Sequence, residues 1–385
     1  MKYHLLVRRL HMAIIIQRSV LVALTVVLVM SLALPDRAAA QGESAVPFLL
    51  IAPNSRASGI GEGGTGVVDD ASAIFWNPGE LAFLNGHEVT FTAARWLPQF
   101  NLSDLYYYYQ NYRGYFDEIG GTLSESITYL NLGEFQVTNS SGPTVIDKFK
   151  SYEYAVTLGY ATKATDELGV GLNLRFIHSA LSPIGTEKEQ GTGISSTVSA
   201  DIAMMYRPLV LDVPLLGDIG KKFTLGVNLS NLGPKITYID AAQADPLPTN
   251  LRLGLGYKVI EDEYNSLTAS VDFSRLLVRR YNDSTGTPPD SPPKSLITAW
   301  GDGGLKKVIV SGGLEYWYGS PRLLAIRVGY FDESKDYGNR KFLTFGAGIR
   351  YDLFGFDFSY ISAPEGHPLS DTMRFTLLIA WGGTP

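Results

Sequence analysis

Leu168-Gly-Val-Gly-Leu-Asn-Leu-Arg-Phe176 carries the period from which the fold of this chain follows. Every second residue is large and apolar, and Gly169, Gly171, Asn173 and Arg175 lie between. Successive side chains on a strand point to opposite faces, so this segment has one greasy side and one small or polar side. Leu251, Leu253, Leu255, Tyr257 and Val259 repeat the pattern against Arg252, Gly254, Gly256 and Lys258. Phe354, Phe356, Phe358 and Tyr360 do so against Gly355, Asp357 and Ser359. The rhythm runs from about Glu88 to the end of the chain. A soluble sandwich shows the same alternation with its apolar side turned inward, so the destination of the chain must decide between the two.

The N-terminus supplies that destination. Lys2, Arg8, Arg9 and Arg18 precede an uncharged apolar run from Ser19 to Leu34, closed by Pro35. Ala38-Ala39-Ala40 then offers a small-x-small cleavage site, and the whole reads as a secretory signal peptide over residues 1–40. The run is short for a spanning helix, and Met12 is a second candidate start. No Cys follows the cleavage site, which excludes a lipoprotein anchor, disulfide staples and thiol chemistry. Cleavage leaves 27 basic and 37 acidic residues, net −10, which argues against a nucleic-acid partner. An exported chain rich in Tyr, Phe and Gly, with alternating strands and no later helix-length apolar run, fits an all-β, transmembrane antiparallel barrel in contact with membrane lipid of the cell outer membrane.

About fourteen strands are expected, over 87–96, 103–112, 121–132, 151–162, 167–181, 194–207, 222–231, 249–260, 264–275, 307–318, 322–332, 340–352, 353–362 and 370–381. Tight turns at Lys163–Asp166, Glu261–Glu263, Gly319–Pro321 and Asp352–Gly355 alternate with longer links over 133–150, 182–193, 232–248, 276–306, 332–340 and 362–369. Short turns at one end and long loops at the other characterise a membrane barrel, and this parity places both termini on the periplasmic side. The 208–221 link breaks it, being long on the short side. If the apolar positions face lipid, the charges between them face the lumen. That set comprises Arg175, Arg252, Arg327, Arg350 and Arg374 with Glu153, Asp201, Asp272, Glu315 and Asp357. The signs balance, which favours pairing across a filled interior over an ion-selective pore. Trp96, Tyr160, Tyr206, Tyr257, Tyr316, Tyr330, Tyr351, Tyr360 and Trp381 are candidates for the two aromatic girdles. Tyr106–Tyr109 spans both faces of one strand.

Residues 41–86 do not alternate, and are expected to form a hatch or plug ahead of a barrel over 87–385. Gly59, Gly61 and Gly64 match G-x-G-x-x-G, but a dinucleotide site needs that motif inside a βαβ unit. A tight loop threading a crowded space is the better reading. Asp69 and Asp70 are placed to cap a short helix that starts at Ala71 and is limited by Pro78. The stretch Ala52-Pro-Asn-Ser-Arg-Ala-Ser-Gly-Ile-Gly-Glu-Gly-Gly64, then Asp70-Ala-Ser-Ala-Ile-Phe-Trp-Asn-Pro-Gly-Glu-Leu-Ala82, resembles the start of the PorV/PorQ family. These are FadL-like outer-membrane proteins of the type IX secretion system. The Asn-Pro-Ala-x-Leu-Ala motif of FadL-type proteins stands here as Asn77, Pro78, Gly79, Glu80, Leu81 and Ala82, with Gly79 departing from it.

The resemblance implies a fourteen-stranded barrel with a lumenal hatch. It also implies a role in secretion: receiving cargo with a C-terminal secretion signal from the translocon barrel and handing it to the surface attachment complex. The 276–306 loop is the first candidate for docking, since Pro288, Pro289, Pro292 and Pro293 limit the entropy lost on binding, though it reads equally as a solvated loop. The alternative is a FadL-type diffusion channel for hydrophobic molecules, with Phe48, Leu49, Leu50, Ile74, Phe75 and Trp76 lining a pocket or forming the core of the hatch. An enzyme is not expected. His87, His178 and His367 are widely spaced, there is no Gly-x-Ser-x-Gly elbow, and no cofactor, metal or catalytic site is read.

Overall fold

The computed structural model describes residues 44–100, 104–139, 142–183, 191–214, 216–239, 244–279 and 289–383. The expected leader therefore lies outside the described residues. Fourteen antiparallel strands close into one barrel in chain order, the last pairing with the first. They are β1 (His87–Arg95), β2 (Tyr106–Phe116), β3 (Gly121–Asn139), β4 (Gly142–Lys163), β5 (Leu168–Ser182), β6 (Gly193–Tyr206) and β7 (Phe223–Leu232). There follow β8 (Asn250–Glu261), β9 (Asn265–Leu276), β10 (Ile309–Tyr318), β11 (Leu324–Asp332), β12 (Lys341–Tyr351), β13 (Phe354–Ser362) and β14 (Met373–Trp381). No helix among the described residues is long and apolar enough to cross a membrane.

The two-residue rhythm sets the faces. Leu174 is 63% exposed on the outer surface, and its neighbour Arg175, at 8%, points into the lumen. An apolar outside and a polar inside invert a soluble sandwich, and only a lipid-facing wall makes that arrangement favourable. On β2, Tyr106 and Tyr108 stack outside while Tyr107 and Tyr109 are buried within.

Two sequence expectations are corrected. Residues 133–139 and 142–150 do not form the expected loop. β3 and β4 run on through them as a two-stranded ribbon, with the Phe135 and Phe149 rings stacked at 5.7 Å. The ribbon is charged and bulged at Asn131/Gly133 and beyond, so it shows no one-sided apolar period. Trp96 leaves the girdle set, because it turns inward against Tyr107 and the Arg374 guanidinium. The 208–221 link contains a small ribbon pairing Asp212–Val213 with Gly217–Asp218, and this accounts for its length.

The N-terminal segment fills the lumen. It carries helices α1 (Ser55–Gly59) and α2 (Ala73–Trp76) and a 3-10 turn over Pro78–Phe83. Phe48, Ile74, Trp76 and Leu81 pack with Tyr107, Tyr109, Leu130 and Ile177 of the wall into one core. A second cluster, of Ile309, Phe331, Phe342, Ile361 and Leu369, sits at the long-loop end beside Trp96 and Leu97.

Candidate functional site

The inward side chains of the wall close on the hatch, so the site is the contact between hatch and wall. The hatch loop must pass close to backbone. Gly61 has φ +74°, and a Cβ there would lie 2.5 Å from the Gly312 and Tyr330 carbonyl oxygens. No other residue combines that dihedral with that clearance. Gly59 and Gly64 lie in the same passage, against Gly346 and Trp76 respectively. At Gly79, the Cβ of the alanine usual in FadL-type proteins would meet Met204 and Met205 backbone at 2.9 Å. The departure from the motif thus lets the turn seat against β6.

Asn77 latches that turn. Its Oδ1 accepts from Gly79 N at 3.0 Å, and its Nδ2 donates to Thr65 O at 3.1 Å and to Met204 O at 3.0 Å. Pro78 opens the 3-10 turn, where its missing N–H costs nothing. Leu81 is fully buried in the core.

A ladder of alternating charge crosses β10 to β13. Arg56 on α1 donates from Nε and Nη2 to the two carboxylate oxygens of Glu315, at 2.8 and 2.7 Å. Arg327 Nε donates to Glu315 at 2.7 Å and its Nη1 to Asp357 at 2.8 Å. Arg350 Nη2 donates to Asp357 at 2.6 Å. The Trp317 ring faces both Arg327 and Arg350 at 5.1 Å. Arg56 also pairs with Asp69 and, at 3.1 Å, with Asp70. Burial raises the Asp69 carboxyl, but Arg322 and Arg56 outweigh it and hold the group well below the usual carboxylate range. Asp70 receives Ser72 N at 2.9 Å at the entry to α2, whereas Asp69 turns away to the two arginines. The helix itself is N-capped by Ser72 without a side-chain bond, so neither aspartate caps it as expected, and Asp70 braces the turn before it.

A second set lies on β5 and β6. Arg175 meets Asp201 through two bonds, at 3.0 and 2.6 Å, and Asn173 donates to Asp201 and to Ile74 O of the hatch. Glu153 accepts from Ser179 Oγ at 2.8 Å. Arg252 and Asp272, expected as wall charges, address the hatch separately. Arg252 sits over the Phe75 and Trp76 rings, and Asp272 accepts from Thr65 N at 2.8 Å. Arg374 is fully buried yet makes no hydrogen bond among the described residues, with Glu62 3.9 Å away. At the short-turn end of the barrel Glu80 pairs with Arg207, which is one-third exposed. Burial outweighs that partner and pushes the Glu80 carboxyl up to about 7. Arg56, Glu62 and Glu80 were not among the sequence candidates for charge pairing, and Asp69 was read only as a helix cap, because an aperiodic segment gives no face to assign them to.

Of the docking-loop prolines, Pro288 lies outside the described residues. Pro289 O accepts from Lys235 Nζ, and Pro292 and Pro293 precede α3 (Ser295–Thr298). Of the apolar residues expected to line a pocket or form the hatch core, Phe48, Leu49, Ile74 and Trp76 lie in the core and Phe75 packs against it. The cavity bounded by Phe48, Leu49, Phe75, Tyr107, Tyr109 and Arg175 holds about 10 Å³, room for one water.

A closed fourteen-stranded barrel whose own N-terminal segment fills the lumen, with lipid-facing apolar residues outside, is an outer-membrane barrel of the FadL-like class. The toluene transporter TodX of Pseudomonas putida shares this fold, with a TM-score of 0.51 over 89% of this chain and 99% of that one, at 11% identity. The toluene transporter TbuX of Ralstonia pickettii aligns at a TM-score of 0.47 and 13% identity, over 86% of this chain and 98% of its own. Within that class, residues 36–283 match the model of the type IX secretion system protein PorV, and the chain belongs to the PorV family. No curated protein sequence matches it.

Proposed function

We propose that this protein serves type IX secretion at the outer membrane by receiving cargo that carries a C-terminal secretion signal and passing it to the surface attachment machinery. The observation that carries this reading, beside the family, is the filled lumen. A cavity of about 10 Å³ beside Phe48 and Phe75 is far below the several hundred Å³ a drug-sized ligand occupies. A diffusion channel for hydrophobic molecules needs that space, so the rim and outer wall are left as the working surfaces. The hatch then acts as a brace for a barrel whose outside handles proteins. Deleting the gene and following exported proteins in the periplasmic and surface fractions tests the reading. Retention of proteins sharing a C-terminal domain, restored by the intact gene, is the expected outcome. Normal surface display with impaired uptake of a hydrophobic compound would replace it with the channel.

A further inference from the structure

The segment that leads into β10 at the long-loop end lies against the wall. Alternation on β9 sends Asp272 inward, to Thr65 N of the hatch, and Phe273 outward, where it is 38% exposed. Arg275 follows Phe273 on the outer row, opposite Leu251 of β8, yet it is only 2% exposed. Ala299–Gly304 covers it. Its Nη2 donates to Ala299 O at 2.6 Å and to Asp302 O at 3.1 Å, and its Nη1 donates to Gly304 O. The Trp300 ring centroid lies 4.7 Å from its guanidinium carbon. This turn therefore folds over the outer side of the wall.

The cover is fixed a second time, because the buried Lys307 donates to Asp302 at 2.7 Å and lies over the Tyr337 ring. Its free surface is apolar all the same. Ile297 on α3 is 79% exposed and Leu305 is 80% exposed, and no large apolar side chain among the described residues is more exposed than these two. Trp300 adds a further partly exposed ring, and Lys294 and Lys306 are exposed beside them.

We propose that Ile297, Trp300 and Leu305 seat in the lipid of the outer leaflet, with Arg275 as the clamp that holds them there. The patch continues an interface already described, since Arg275 stands on the lipid-facing row of Phe273. A guanidinium on that row is costly in lipid unless its donors are satisfied, and carbonyl oxygens and an aromatic face satisfy it here. An arginine facing water needs no such cover. Tryptophan between lysines is also the composition of a membrane interface, the ring lying at headgroup level and the ammonium groups reaching phosphate. The long loops of a membrane barrel stand at the cell surface, which makes the leaflet the outer one. This anchoring is independent of what the barrel passes on.

The chain has no cysteine, so single sites accept a nitroxide label cleanly. Leu305→Cys and Ile297→Cys, in the protein as isolated from the outer membrane, are labelled and reconstituted into vesicles of phosphatidylcholine and phosphatidylglycerol. Power saturation then compares collisions with oxygen, which concentrates among acyl chains, and with a water-soluble nickel chelate. Leu377→Cys on the outer row of β14 supplies the lipid reference, and Glu365→Cys in the exposed β13–β14 link supplies the water reference. Both test positions are exposed, and heat-modifiable migration confirms that each variant is folded. The proposal expects the oxygen-to-nickel ratio at 297 and 305 to match position 377 and to reverse that at 365. A ratio like that at 365 leaves the patch in water and overturns the proposal. Low accessibility to both reagents means that protein covers the patch, from this chain or a second copy, and overturns it as well. Arg275→Ala in the labelled background is expected to shift both ratios toward that of 365, and unchanged ratios would overturn the clamp.

Discussion

Arg327 and Arg374 are both buried arginines on neighbouring stretches of one lumen, and they differ in what they touch. Arg327 bonds Glu315 and Asp357, whereas Arg374 has the Trp96 ring at 5.8 Å and Glu62 at 3.9 Å but no side-chain hydrogen bond among the described residues. Removing one partner of a buried pair strands the other charges, so Arg327→Ala is expected to cost about 3 kcal/mol, read from urea unfolding of the heat-modifiable barrel. Arg374→Met removes a buried cation with little pairing and is expected within about 1 kcal/mol of the parent. Gly61→Ala forces a Cβ into backbone at a positive φ and should cost at least about 2 kcal/mol, appearing first as protease cleavage of the hatch. The inward set of charges could be read from alternation because Arg175 and its counterparts sit on strands with period two. Their partners could not be read. Nothing in Asn54-Ser-Arg56 marks Arg56 as the bridge between Glu315 and Asp69, since those contacts join residues up to 259 positions apart.

The elements were legible in proportion to their one-sidedness. All fourteen strands fall near their expected spans because each has lipid on one face, which leaves a clean apolar row. The β3–β4 ribbon beyond Gly133 is bulged and charged, loses that row and reads as a loop. The end of pairing on β6 was equally hidden, since Gly193–Ser199 alternates normally although the chain beside it, after Leu232, makes no ladder with it. The hatch is the element whose stability is expected to depend on pH. Asp69 is held below its ordinary range, so its contribution is complete above about pH 4 and is lost as pH falls through its lowered value. Glu80 is raised, so its contribution is complete below the ordinary glutamate range and is lost as pH rises through about 7. Protection factors of residues 54–82 in detergent, corrected for the intrinsic pH dependence of amide exchange, should therefore be highest between these limits and lower on both sides. Monotonic behaviour from pH 3 to 9 would contradict this assignment.

Taken whole, an apolar exterior and a hatch-filled lumen leave the rim and the outer wall as the working surfaces under the secretion reading. Reconstituted into planar bilayers, it should conduct little, and deleting residues 44–86 should open a steady current. The secretion reading itself stands or falls on purification from native outer membranes in gentle detergent, with mass spectrometry of bound proteins and extracted lipids. A very large barrel protein, together with exported proteins that share a C-terminal domain, is the expected recovery. Recovery of the protein alone, carrying a stoichiometric hydrophobic small molecule, would contradict it.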